Sequence, residues 1–126
     1  MRIKIIKNNR GVILLLTLFI LSGILVVTLV AADLVLSGIR MNRLAGYSNL
    51  AFYASEAGME RALWEARYNG YSYPLSSYVP NVFNGSIGNG SSYTVNYASS
   101  TPNVTFSSVG SYSGVKRSVE SSFQAQ

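Results

Sequence analysis

Along the first third of the chain, the polar positions that would interrupt an apolar helix are missing. Val12 to Ala32 is a run of twenty-one uncharged residues, and after Asp33 the apolar character continues to Ile39. At ~1.5 Å per residue the run makes about 30 Å of helix, one bilayer core. A helix lying on a soluble domain needs a polar face to meet water, and this one has none. The pattern predicts a membrane span over 12–39.

Residues 40–69 keep a helical period without a proline and predict the same helix continuing out of the span. On a helical wheel, Asn49, Glu56, Glu60 and Arg67 gather within about 40° of one another, and most other directions are apolar or small. So narrow a polar stripe predicts a helix covered on more than one side. Ala51, Ser55, Gly58 and Ala62 form a face of small residues at spacings of four, three and four. Small residues in this rhythm let a second backbone approach closely. Two occupants fit equally: a helix of another subunit, or the sheet of this same chain. In an unbroken helix, Asp33, Ser37, Arg40, Leu44 and Ser48 extend that face.

Beyond the helix the period changes to two. Asn69-Gly70 predicts its end, and Tyr71 to Gly90, with Pro74, Pro80, Asn84-Gly85 and Gly88-Asn89-Gly90, predicts a connecting loop with turns. Three strands are expected at Ser92–Tyr97, Asn103–Ser108 and Val115–Phe123, separated at Ser99–Pro102 and Gly110–Gly114, as an antiparallel meander. Arg117 falls on the apolar face of the last strand, which predicts a rim position or an acidic partner. The fold class is α+β: a long N-terminal helix packed on a small three-stranded antiparallel sheet.

Charge sets the topology. The formal net charge is +5, but Arg2, Lys4, Lys7 and Arg10 supply +4 ahead of the span, and residues 12–126 carry six basic against five acidic side chains. Basic residues beside a span stay cytoplasmic, so the orientation expected is N-in and C-out. The same arithmetic leaves little for a nucleic-acid surface, and no nucleic-acid contact is expected. The chain has no cysteine and no histidine. It therefore lacks a disulfide for an exported domain and the commonest general base and metal ligand. No metal, cofactor or catalytic residue is assigned, and no enzyme is expected. Glu56 and Glu60, one turn apart, read as a solvated stripe. Asn84-Gly85-Ser86, Asn89-Gly90-Ser91 and Asn103-Val104-Thr105 match glycosylation acceptors, which a Ser/Asn-rich chain yields by chance.

Two segments carry a family resemblance. Asn8-Asn9-Arg10-Gly11 ahead of the apolar run resembles a class III (prepilin) leader. The segment Ala51-Phe52-Tyr53-Ala54-Ser55-Glu56-Ala57-Gly58-Met59-Glu60-Arg61-Ala62-Leu63 resembles the "A-x-x-A-x-E-A-G-x-x-x-A" stretch of PilX-type minor pilins. The resemblance covers about residues 7–67, and the sheet region is matched only as architecture. It implies a type IV pilin-like fold with a leader at 1–11, the transmembrane half of the helix at 12–39, its soluble half at 40–69 and the loop and sheet at 70–126. It also implies that a prepilin peptidase cuts between Gly11 and Val12 and methylates the new amino group of Val12. The expected partners are then membrane lipid, the peptidase, an inner-membrane assembly platform and other pilin subunits packed helix to helix. The expected location is the inner membrane first and an extracellular filament afterwards, serving adhesion, motility, DNA uptake or secretion. One position departs from the major pilins: where they carry a glutamate five residues into the mature chain, this sequence has Leu16. PilX-type minor pilins and some secretion pseudopilins share that absence, which favours a minor or tip subunit.

Asp33 reads as the outer interface of the span, hydrated, or as a charge paired with Arg40 of its own or a neighbouring helix. Two other readings of the N-terminus are open. Val30-Ala31-Ala32 is a small-x-small site that fits an ordinary Sec signal peptide cut after Ala32. The span would also serve as an uncleaved signal anchor.

Overall fold

The computed structural model describes residues 9–124. Most of the leader expected at 1–11, with Arg2, Lys4 and Lys7, lies outside the described residues, as do the last two residues of the region expected at 70–126. One helix, α1 (Arg10–Tyr68), is followed by strands β1 (Tyr78–Ser86), β2 (Ser92–Ser100), β3 (Asn103–Tyr112) and β4 (Val115–Gln124). The chain divides near Met41 into two units. The first holds the apolar half of α1. Its hydroxyls are turned back on the helix: Thr17 donates to the Leu14 carbonyl, Ser22 to that of Phe19 and Thr28 to those of Ile24 and Leu25. Polar groups satisfied within the helix suit a segment that has no water to bond.

The second unit holds the rest of α1 and a sheet of order β1-β2-β3-β4, antiparallel throughout. The sheet has four strands, not the three expected. The added strand, β1, lies inside the stretch expected to be loop. Its alternation is broken by a register shift between Val79 and Phe83, where Pro80 has no N–H to give and Asn81 adopts φ 55°. Val82 and Phe83, consecutive residues, are both half-buried, so no period of two survives in the sequence. Asn96 holds the bulge by accepting the Asn81 N–H at 2.9 Å. The strands β2 and β3 also run further than expected, to Ser100 and Tyr112. The β3–β4 turn is only Ser113-Gly114, both with positive φ (48° and 83°), the two-residue geometry that matches strand twist.

The end of α1 falls at Tyr68, as expected from Asn69-Gly70. Gly70 takes φ 66°, and the Tyr71 N–H returns to the Glu65 carbonyl at 3.1 Å.

The core is a wedge between α1 and the sheet. On the inner face of β3 the side chains shrink in the order Phe106, Ser108, Gly110, and all three residues are buried. At the narrow end a Cβ on Gly110 would run into the Ala51 carbonyl oxygen and the Ser55 nitrogen. One turn along the helix, a Cβ on Gly58 would meet Ser108 Oγ and the Tyr93 ring, with Tyr93 Cδ2 at 2.7 Å. At the wide end Met59, Ala62, Val95, Tyr97, Val104 and Phe106 make the buried cluster, and Tyr71, Tyr73, Phe83 and Phe123 pack against it. Phe106 sits at its centre, its ring centroid 5.8–6.5 Å from those of Tyr71, Phe83, Tyr97 and Phe123. Tilted and edge contacts of this kind add to the area they bury.

The close approach sets a firm expectation. Gly110→Ala puts a methyl group against two backbone atoms that cannot rotate away. It should destabilise the domain by about 2–3 kcal/mol, read as a lowered urea midpoint. A midpoint equal to the wild type would mean that α1 and β3 are further apart than described.

Candidate functional site

The residues singled out in the sequence fall in three places along α1. Gly11 and Val12 lie in its first turn, which the Ile13 N–H opens by bonding the Asn9 carbonyl at 3.1 Å. Both are exposed, and nothing packs within 4 Å of where a Gly11 Cβ would stand. Leu16, at the position where major pilins have glutamate, is 57% exposed among other apolar side chains.

From Val12 to Met41, twenty large apolar side chains are at least half exposed. Burying such a side chain is worth roughly 1.5–3 kcal/mol. Even half of that, summed, exceeds the ~5–15 kcal/mol by which a domain is stable. This segment is a candidate membrane-spanning helix near the N-terminus, by length and composition. Asp33 and Arg40 are both exposed in this half. They stand seven positions apart, about 10 Å of rise, so a pairing within one helix has to bridge two turns.

Ala51, Ser55, Gly58 and Ala62 are brought together, and all four are buried. Of the two occupants that the sequence left open, the one found on this face is the chain's own sheet, at Ser108 and Gly110. A second helix has no room there. The signal for this was Gly110, an inward position of a strand interior, where glycine marks close backbone approach. It stood instead as a turn separator in the sequence pattern.

Elsewhere on the soluble half, Phe52, Tyr53, Trp64 and Tyr68 are 42–78% exposed. Glu56, Glu60 and Arg67 are exposed beside them. Two arginines tie the helix to the sheet. Arg61 donates to the Asn84 carbonyl at 2.8 Å and to the Tyr93 hydroxyl at 3.0 Å, with its guanidinium 5.7 Å from the Phe83 ring centroid. The hydrogen bond that Arg61 donates to Tyr93 raises the guanidinium pKa above its ordinary value. Arg117 takes the rim position that was one of its two expectations, donating from Nε to Ser48 Oγ at 2.6 Å. Neither Arg61 nor Ser48 stood out as a strap in the sequence, because each pairing spans a sequence distance that no local pattern encodes.

Among the described residues, two buried side-chain oxygens have no hydrogen-bond partner, Ser108 Oγ and the Tyr71 hydroxyl. The Tyr71 hydroxyl is buried and unbonded, and burial raises its pKa above the ordinary 10.0, with Tyr97 and Tyr73 adding to the shift. No family model, curated protein or solved structure matches the chain.

The raised Tyr71 pKa has a definite sign. The unfolded chain ionises first, so the stabilisation is whole below about pH 10 and is lost as pH climbs through the raised folded value. Tyr71→Phe should make that alkaline loss shallower. At neutral pH it should leave stability within about 1 kcal/mol of wild type or above it, since no hydrogen bond is lost. Unfolding midpoints of both proteins between about pH 8 and 11 test this, and parallel curves would contradict it.

Proposed function

We propose that the chain is a minor pilin or pilin-like subunit of a type IV pilus or type II secretion-like filament. In this reading it is held in the membrane by the apolar half of α1 and drawn into a filament after cleavage between Gly11 and Val12. Its role is structural, through assembly rather than catalysis, and a PilX-type identity rests on the two segments quoted above. The observation that carries the reading is one helix whose first half is exposed and apolar and whose second half is clamped to an antiparallel sheet. In this reading the exposed apolar half meets lipid first and other helices in the filament afterwards. The exposed aromatic side chains Phe52, Tyr53, Trp64 and Tyr68 support neighbours on the soluble half as well.

The position of the cut separates this reading from the two others. A cut after Gly11 falls in the first turn of α1 and leaves the apolar half whole. A cut after Ala32 falls in mid-helix and removes it.

The test is the intact mass and N-terminal sequence of the protein from membranes and from sheared surface filaments. The expected chain starts at N-methylated Val12, and Gly11→Leu should retain Met1. A start at Asp33 would replace the proposal with signal-peptide secretion. A start at Met1 in cells that process their other prepilins would make it a signal anchor.

A further inference from the structure

The two edges of the sheet are not alike. The β1 edge is closed: Pro80 has no N–H, the Asn81 N–H is given to Asn96, and the Asn84 carbonyl is taken by Arg61. These are ways in which proteins blunt an edge against added strands. The β4 edge has none of them. Its ten residues pair with β3 without a register shift and contain no proline.

The turn fixes which backbone groups of β4 are free. Tyr112 and Val115 flank a two-residue turn and bond each other, so Val115, Arg117, Val119, Ser121 and Phe123 bond β3. The N–H and C=O groups of Lys116, Ser118 and Glu120 then point to the open edge. Their side chains share one face of the sheet, and all three residues are exposed. Lys116 and Glu120 stand at equal distances on either side of Ser118, with opposite charge.

An edge with this pattern is its own complement. When two such strands meet antiparallel about a twofold axis at Ser118, each Lys116 lies opposite the other copy's Glu120. The free groups of Lys116, Ser118 and Glu120 then all find hydrogen-bonding partners. Neighbouring registers lack this match. An axis at Lys116 or at Glu120 sets like charges face to face, and one at Arg117 opposes two arginines. An axis at Val119 leaves Lys116 and Glu120 both opposite serine.

The geometry points to β4 as a self-docking edge: two copies of this chain join antiparallel at Ser118 into one eight-stranded sheet, with two Lys116–Glu120 pairs across the junction. Main-chain bonds supply affinity in this mode, and the charges supply register. The contact is isologous, the same patch on both copies, and therefore closes at two. The inference uses only the unit that begins at Asn42 and does not depend on the filament reading.

The test uses the full chain in detergent. Lys116 is the only lysine after residue 11, and along one strand it stands about 13 Å from Glu120, too far for a direct amide. A carbodiimide should therefore join Lys116 to Glu120 between copies. In a mixture of chains with and without heavy nitrogen, joined peptides should carry both labels as often as chance mixing allows. Amide exchange should slow at Lys116, Ser118 and Glu120 as protein concentration rises, and stay unchanged at Arg117 and Val119, which already bond β3. Lys116→Glu should weaken association at least about tenfold. The double variant Lys116→Glu/Glu120→Lys restores the pattern and should associate within about threefold of wild type, yet pair poorly with wild-type chains. Both variants change only exposed side chains and should keep the wild-type unfolding midpoint. Exchange that is independent of concentration up to about 1 mM, joined peptides that never mix labels, or a double variant no better than Lys116→Glu would overturn the proposal. Protection of the same amides by an added peptide alternating Thr and Val, with none from concentration, would assign the edge to another protein's strand and overturn it too.

Discussion

The fold hangs on one close contact, the passage of the α1 backbone over β3 at Gly110. The Ala51 carbonyl and Ser55 nitrogen stand where a Cβ would be, so only glycine admits the helix at this depth. Everything nearby follows from that depth. Ser108 and Gly58 face each other because neither position has room for more, and Ala62 begins the side where the wedge opens. From there the gap has to be filled by large side chains, which explains why Tyr71, Tyr73, Phe83, Tyr97, Phe106 and Phe123 converge at one end. A small domain without cysteine has no covalent staple. Aromatic residues, burying 150–250 Å² each in typical cores, are the economical way for it to make a core.

What the sequence disclosed follows from how local each signal is. The helix, its end at Asn69-Gly70 and strands β2 to β4 are written in periods of 3.6 and 2 and in turn residues, and all of them stand in the structure. The strand β1 is not, because its pairing tolerates a bulge at Pro80-Asn81 that erases the alternation. The small face of α1 was legible as a site of close approach but not as to its partner. Close approach demands the same small residues whether the other backbone is a strand of this chain or a helix of the next. Only the combination with Gly110 on an inward strand position decides it, and that combination spans more than fifty residues of sequence. Arg117 is a milder case of the same limit, an arginine on an apolar face whose partner, Ser48, lies 69 residues away.

Assigning the small face to the fold changes what is left for assembly. A bulky residue at Gly58 would collide with Ser108 and Tyr93 before any neighbouring subunit was involved, so it perturbs folding first. The surfaces that a partner can reach on the soluble half are the exposed aromatics Phe52, Tyr53, Trp64 and Tyr68, the charges Glu56, Glu60 and Arg67, and the open edge of β4. These lie on different elements, which permits contacts with more than one neighbour at once.

For the apolar half the balance is of another kind. Lipid tails are as apolar as leucine, so moving twenty apolar side chains from bilayer to a bundle of helices gains little from the hydrophobic effect itself. The transfer proposed here is then close to neutral for most of α1, and small terms decide it. Leu16 carries no charge that must be desolvated in the bilayer or paired outside it, so it neither resists nor drives the exchange. Asp33 and Arg40 are the charges close to the apolar run on this half, and each gains most where a neighbour supplies its opposite. Selection among neighbours would thus rest on those two charges and on the exposed aromatics beyond them, while the long apolar run supplies only compatibility with both environments.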